Sequence, residues 1–231
     1  MILLGFDTAT PQVSVAISTD GAVVGELRLG HGRRHAEHLA PGIQYLCRQL
    51  GIELSQLSGI AVGLGPGLFT GLRVGVTTAK TMAQSLRLPM VGVPSLDLVA
   101  YPLRHASRLV AAVIDARRGE VFHAHYRPVP GGVQRVSAYE VGTTDDLVAD
   151  LVATGEEVLL AGDGALQYRE ALAGIDRAEQ AGASFAAPSA TALLELAAAR
   201  MEREEFSSPW EVQPLYLRQS DAELEWQRRA S

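Results

Sequence analysis

The fold of this chain is decided by the stretch Gly63-Leu64-Gly65-Pro66-Gly67-Leu68-Phe69-Thr70-Gly71-Leu72-Arg73-Val74-Gly75. A short apolar run, 59–62, precedes it, and a helical pattern that ends near Leu88 follows it. This order predicts a strand, a glycine loop and a helix. Such a junction brings unpaired backbone N–H groups and the positive end of a helix to one place, where an anion can bind.

Small residues continue into the predicted helix at every fourth position. We call Gly67, Gly71, Gly75, Ala79 and Ala83 the small-residue ridge. Residues four apart lie on one face of a helix, and a face without large side chains lets another backbone approach closely. The stretch therefore allows two interpretations, a phosphate cradle or a contact face.

The composition is that of an ordinary globular protein. The 231 residues are 47% hydrophobic and 20% charged, enough for the core of one large domain or two small ones. Cys47 is the only cysteine, which excludes an intrachain disulfide and a cysteine-based zinc site. The first residues lack a basic flank, and no apolar run reaches the roughly 18 residues of a membrane span. We therefore expect a cytoplasmic protein without membrane contact.

The net charge of −6 bears on nucleic-acid binding. A chain that grips a nucleic-acid backbone normally carries a basic surface. We therefore expect any RNA contact to be shared with a partner.

Two halves of the chain begin alike. An apolar strand ends at Asp7, and an alternating strand follows its turn; the same order recurs around Asp115. This repeat predicts two related α/β lobes with a cleft between them, as in actin, hexokinase and Hsp70. We assign 1–105 to the first lobe, 106–206 to a reduced second lobe and 207–231 to a tail.

Two turns are candidates for nucleotide contact. Asp7-Thr8-Ala9-Thr10 can surround phosphates, with Asp7 holding magnesium and Thr10 donating; a hairpin with local hydrogen bonds explains it equally well. Gly162 and Gly164 follow a predicted buried strand and would let an adenosine approach the backbone. A plain strand-to-helix turn is the favoured interpretation of that glycine pair.

Histidines suggest a metal site, but only weakly. His31, His35 and His38 cluster, and the last two lie three residues apart on a predicted helix. Near a helix start such residues are more often at a surface or interface. His123 and His125 share one face of a strand, but no partner acid is evident in the sequence. The sequence contains no Gly-x-Ser-x-Gly, His-Glu-x-x-His or Walker motif, so we predict no catalytic residues and no metal site.

Six segments together closely resemble the TsaB (YeaZ) family over nearly the whole chain. They are Asp7-Thr8-Ala9-Thr10, His35-Ala36-Glu37-His38-Leu39, Gly65-Pro66-Gly67 to Arg73-Val74-Gly75, Val93-Pro94-Ser95-Leu96-Asp97, Ile114-Asp115-Ala116-Arg117 and Pro214-Leu215-Tyr216-Leu217-Arg218. The resemblance implies an actin-like (ASKHA, RNase H-like) fold. It also implies that the chain acts together with the paralogue TsaD and the ATPase TsaE. That complex makes threonylcarbamoyladenosine in tRNAs that read codons beginning with A.

In that family TsaD is the catalyst and the TsaB-like chain is its non-catalytic scaffold. The resemblance therefore implies no intrinsic cofactor, tRNA contact only through the complex, and ATP or ADP with magnesium at the level of the complex. TsaD-like proteins carry a metal-binding histidine pair where this chain has Ser95 and Val99. They carry a Gly-Gly loop where it has Asp115-Ala116-Arg117-Arg118. Both departures predict a lost active site.

The resemblance also implies pairing with TsaD through the two helices of the first lobe, or a homodimer when TsaD is absent. The predicted interface residues are His35, His38, Leu39, Ile43, Leu46, Gly67, Gly71, Leu72, Gly75 and Ala79. Packing of the small-residue ridge on the lobe's own sheet is the alternative. For function, the alternative is an autonomous phosphotransferase or a glycoprotease-like peptidase that uses the cleft.

Overall fold

The computed structural model describes residues 1–30 and 35–218, and His31 and the end of the predicted tail lie outside this range. The strands are β1 Ile2–Asp7, β2 Val13–Thr19, β3 Ala22–Leu29, β4 Gly59–Gly63, β5 Met90–Val93, β6 Leu109–Arg117, β7 Glu120–Val129, β8 Gly132–Arg135, β9 Glu140–Thr143, β10 Val158–Ala161 and β11 Ala178–Gln180. The α-helices are α1 His35–Leu50, α2 Phe69–Leu86, α3 Ser95–Ala100, α4 Thr144–Thr154, α5 Asp163–Gln167, α6 Arg169–Leu172 and α7 Ala190–Glu202.

The two sheets repeat one topology, as the sequence predicts. The first sheet has the order β3-β2-β1-β4-β5 and the second has β8-β7-β6-β10-β11, with β9 also paired to β7. In each, a central strand pairs antiparallel with the next strand of the chain and parallel with a later one. The second copy is reduced, because α5 and α6 span only 5 and 4 residues.

Local sequence explains where the main helices begin and end. The Ser189 hydroxyl accepts a hydrogen bond from the Ala192 N–H and so caps α7 as predicted. Thr143 and Asp146 form a capping box at the start of α4. Pro41 is the seventh residue of α1, so its ring nitrogen cannot make the backbone hydrogen bond to the carbonyl of residue 37.

The first sheet is covered on both faces. One face packs against α1 and α2 around Leu4, Phe6 and Ile60. The other packs against α7 through Leu193 and Leu194. The sequence assignment put α7 in the second lobe. In the structure the helix packs on the first sheet, because Leu193 and Leu194 bury their side chains against that sheet. Among the helices of the described residues, none has the length and apolarity to cross a bilayer.

The start of the predicted tail is also part of the first lobe. Val212 is buried in the core between α1, α2 and the sheet. The Lys80 ammonium donates a hydrogen bond to the Val212 carbonyl, at 3.1 Å. The Ser207 N–H pairs with the Met90 carbonyl at the edge of the sheet. Residues 207–218 therefore return along the first lobe toward the lobe junction.

Candidate functional site

Asp7, at the end of β1, is held entirely by protein groups. Its carboxylate accepts hydrogen bonds from the Ala9 N–H at 2.8 Å and the Ser95 hydroxyl at 2.5 Å. The residue is 1% exposed, and this burial raises the pKa of its carboxyl group. A Cβ at Gly63 would lie 1.7 Å from the carboxylate, so glycine is required there. In this conformation the residue has no room for magnesium.

Ser95 and Val99, at the positions of the TsaD histidines, have structural roles. The Ser95 hydroxyl accepts a hydrogen bond from the Gly65 N–H at 3.0 Å while it donates to Asp7. Val99 is buried in the core below the second sheet. Neither side chain can supply the pair of ligands that a metal ion would need.

Asp97, two residues further on, connects the two lobes. Its carboxylate accepts hydrogen bonds from the Tyr126 and Tyr139 hydroxyls, at 2.7 and 2.8 Å. Burial raises the pKa of the Asp97 carboxyl group, which the two hydrogen bonds oppose. This acid is therefore a link between α3 and the second sheet and does not rebuild a metal site.

The small-residue ridge faces the turn between β1 and β2. A Cβ on Gly67 would lie 2.2 Å from the Ala9 carbonyl oxygen, and one on Gly71 would lie 2.1 Å from that of Thr8. The Thr8 hydroxyl donates a hydrogen bond to the Gly71 carbonyl at 2.8 Å. Gly67, Gly71 and Gly75 thus pack against a turn of the chain's own first lobe, beside the sheet that the alternative interpretation named.

The predicted interface residues are placed differently from the prediction. Eight of the ten are buried within this chain, namely His35, Leu39, Ile43, Leu46, Gly71, Leu72, Gly75 and Ala79. They face inward because the apolar stripe of each helix packs on the sheet. His38 and Gly67 are partly exposed. A partner that approaches α1 and α2 would meet other side chains, and we define Ala40, Gln44, Tyr45, Thr77 and Thr81 as the outer face.

The second-lobe turn after β6 is stabilised by local contacts of Asp115. The carboxylate accepts hydrogen bonds from the Arg117 N–H at 2.8 Å and the Tyr168 hydroxyl at 3.0 Å. The Arg117 guanidinium lies 3.2 Å from the same carboxylate. Arg117 and Arg118 have φ values of 69° and 59°, a region that glycine adopts more easily. The contacts of Asp115 thus close this turn.

The glycine pair after β10 packs against β6. A Cβ on Gly162 would lie 1.9 Å from the Val113 carbonyl oxygen, and one on Gly164 would lie 2.9 Å from the Asp115 nitrogen. Between them, burial raises the pKa of the Asp163 carboxyl group to about 6. The structure favours the plain strand-to-helix turn. Together with Asp7 and the buried Thr10, these positions do not fit a magnesium–nucleotide complex in this conformation.

A cleft of about 290 Å³ lies between the two lobes. It is lined by the start of α2, the Asp115–Arg118 turn, Phe122 and residues 215–218. None of the described lining residues is a histidine, cysteine or serine. The lining combines apolar side chains with arginines, so the cleft can bind an anionic or aromatic group.

Residues 215–218 bridge the lobes, a role that sequence reasoning missed. The Leu215 N–H donates a hydrogen bond to the Leu64 carbonyl at 2.8 Å. The Tyr216 ring packs 5.1 Å from that of Phe69. The Arg218 guanidinium donates to the Ala116 carbonyl at 3.1 Å and to Glu120 at 2.7 Å. The motif Pro214-Leu215-Tyr216-Leu217-Arg218 marks this segment in the sequence, but it does not indicate which residues the segment contacts.

The histidines fall into two groups. The His35 ring donates a hydrogen bond to the Thr10 carbonyl at 2.7 Å, so it secures the first turn and does not pair with His38. His123 and His125 are buried on β7, and their rings stack with centroids 5.7 Å apart. Burial lowers the pKa of both imidazoles.

Comparison with known proteins identifies the family. Residues 30–226 match the family model described as "TsaD: tRNA N6-adenosine threonylcarbamoyltransferase". The TsaB protein of Haemophilus influenzae, named for tRNA threonylcarbamoyladenosine biosynthesis, is 30% identical over 99% of this chain and 97% of its own length. The chain belongs to the TsaB family. This confirms the resemblance seen in the sequence.

Other TsaB and YeaZ proteins are also similar to this chain, over part or nearly all of their lengths. The TsaB proteins of Escherichia coli and Bacillus subtilis are 37% and 34% identical, and the matches span 58% and 59% of their lengths. YeaZ from Pseudomonas aeruginosa superposes with a TM-score of 0.79 at 30% identity, over 94% of this chain and 99% of that one. EutJ from Carboxydothermus hydrogenoformans, at 10% identity and a TM-score of 0.50, shows the same fold only. The predicted two-lobed α/β class is confirmed.

Proposed function

We propose that this chain is the non-catalytic subunit of the complex that installs threonylcarbamoyl groups on tRNA. The observation that carries the proposal is the internal use of Ser95 and Val99. Where TsaD-like proteins bind their metal, a hydroxyl donates to Asp7 and an aliphatic side chain fills the core. Catalysis then belongs to TsaD, and this chain binds and stabilises it. Because tRNA is the substrate, the proposal places the complex in the cytoplasm.

The partner surface in this proposal is the outer face of α1 and α2. Tyr45, a residue of this face, is 52% exposed, and exposed aromatic residues often anchor protein interfaces. The neighbouring Ala40, Gln44, Thr77 and Thr81 are small or uncharged. Such a surface suits TsaD, or a second copy of this chain when TsaD is absent. TsaE, with ATP or ADP and magnesium, joins at the level of the complex, and tRNA contacts this chain only through it.

The test uses purified chain, TsaD and TsaE. We expect Tyr45→Glu to weaken binding of TsaD at least about tenfold, because it places a charge in a dry contact. Modification of tRNA should fall in parallel. Val152→Glu is the matched control, since Val152 is 56% exposed on α4 and lies outside the proposed surface.

Two results would contradict the proposal. One is full tRNA modification by TsaD and TsaE in the absence of this chain. The other is turnover of ATP by the isolated chain, measured by calorimetry with magnesium, which would favour the autonomous phosphotransferase. Equal loss of TsaD binding in Tyr45→Glu and Val152→Glu would reject the outer face as the contact surface.

A further inference from the structure

Three potential metal ligands meet at the edge of the second sheet. His123 on β7 and Glu140 on β9 are paired directly across the two antiparallel strands. Side chains at such a pair point to the same face of the sheet. On that face α4 packs through Leu147 and Leu151, and it brings Asp150 to the pair. One ligand atom from each of the three residues lies within 4.8 Å of the others.

The histidine has an unused polar atom in a buried place. His123 is 3% exposed, and its Nδ1 atom has no hydrogen-bond partner. A buried polar atom without a hydrogen-bond partner is unfavourable, so its presence calls for a reason. Within residues 1–30 and 35–218, the Glu140 and Asp150 carboxylates also make no hydrogen bond or ion pair. Asp146, one turn before Asp150, is instead engaged by the N–H and hydroxyl of Thr143.

We propose that His123, Glu140 and Asp150 bind one divalent transition-metal ion of the zinc class. One imidazole nitrogen and two carboxylate oxygens form a donor set that zinc accepts, with water at the remaining position. Two carboxylates balance the charge of the ion. Magnesium and calcium prefer oxygen ligands alone, so the histidine favours zinc or cobalt.

The spacing needs only a small adjustment. Ligand atoms about 2.0–2.1 Å from a zinc ion lie at most about 4.2 Å from one another. Glu140 and Asp150 are exposed, so their side chains can close the difference by changing rotamer while His123 stays fixed in the sheet. The ion would join β7, β9 and α4. This inference does not depend on the proposed function, since none of these residues lines the cleft between the lobes.

The experiment titrates chelator-treated full-length chain with zinc chloride in a calorimeter and records the melting temperature with and without zinc. We expect one ion per chain and a higher melting temperature, because an ion that binds only the folded state stabilises it. Glu140→Gln and Asp150→Asn should each weaken binding at least about tenfold, since losing even an outer-shell partner commonly costs about 10–100-fold. His123→Gln should do the same.

Asp145→Asn is the matched control, because it removes the same charge from an exposed position on the same helix. His38→Gln controls for zinc bound at other histidines. Both controls should bind zinc as the wild type does. Absence of zinc binding, binding unchanged in Glu140→Gln and Asp150→Asn, or an equal loss in Asp145→Asn would overturn the proposal. The two carboxylate variants decide the question even if His123→Gln does not fold.

Discussion

The turns that follow β1 and β6 share one local structure but differ in their surroundings. In each, an aspartate at or near the end of the strand accepts a hydrogen bond from the N–H of the residue two positions on. The acceptors are Asp7 and Asp115, and both hydrogen bonds measure 2.8 Å. The aspartate closes the turn by itself, as Asx turns do. A local hydrogen bond therefore explains an acid at this place in both lobes without a phosphate or a metal.

The surroundings of the two turns differ. The first turn is sealed, because Ser95 holds Asp7 and the small-residue ridge covers Thr8 and Ala9. The second turn lines the cleft, where Arg117 and Arg118 bring positive charge. Duplication thus left one turn as part of a core and the other as part of a surface. In this chain a ligand would find the second turn more accessible than the first.

The largest effect on stability should come from disrupting the packing of the small-residue ridge against the first turn. Gly71→Ala places a methyl group 2.1 Å from the Thr8 carbonyl oxygen, and a backbone atom cannot move aside cheaply. We expect a loss of at least about 3 kcal/mol in the free energy of unfolding, measured by urea denaturation. Gly174→Ala is the control, because a Cβ there meets no atom within 4 Å. Equal stability of the two variants would show that the turn is loosely packed.

That prediction also shows where sequence reasoning reached its limit. The four-residue spacing correctly indicated a bare helix face, but spacing alone does not say which backbone lies against it. The contact-face interpretation suggests substitutions such as Gly71→Leu and Ile43→Glu, but both residues are buried, so these changes would damage the core and could not isolate a partner contact. Tyr45 carried no periodic signal, since it is exposed.

Other features also divide into those set by neighbouring residues and those set by distant parts of the chain. The Ser189 cap and the acid-ended strands were predictable, because each is fixed by neighbours in sequence. The three-residue strand β11 and the bridging role of residues 215–218 were not, because both depend on contacts with distant parts of the chain. His123 and Glu140 meet only because β9, which was not predicted, pairs with β7.

Asp163 offers a smaller, pH-dependent test of the second turn, because its carboxylate accepts a hydrogen bond from the Asp115 N–H at 3.1 Å. Its folded-state pKa of about 6 lies above the ordinary 3.8, so folding favours the protonated acid. This stabilisation is present below pH 3.8 and is lost as the pH rises through 6. Between pH 4 and pH 7 the wild type should lose about 2 kcal/mol more unfolding free energy than Asp163→Asn.

Chemical denaturation at a series of pH values measures this difference. Asp145→Asn controls for removal of an exposed carboxylate and should follow the wild type. Parallel pH profiles for wild type and Asp163→Asn would mean that the Asp163 carboxyl is solvated and that the second turn is more open than described.

The smallest effect concerns residues 215–218, the segment that bridges the two lobes. Tyr216→Ala removes the ring contact with Phe69, over which the Arg73 guanidinium also lies at 4.0 Å. Such a ring contact is worth about 0.5–1.5 kcal/mol, so we expect a loss of about 1 kcal/mol in unfolding free energy. Tyr45→Ala is the matched control, because Tyr45 and Tyr216 are 52% and 44% exposed. Of the two, only Tyr216 packs on an aromatic ring within the described residues. If both variants lose the same stability, residues 215–218 lie along the cleft without holding the two lobes together.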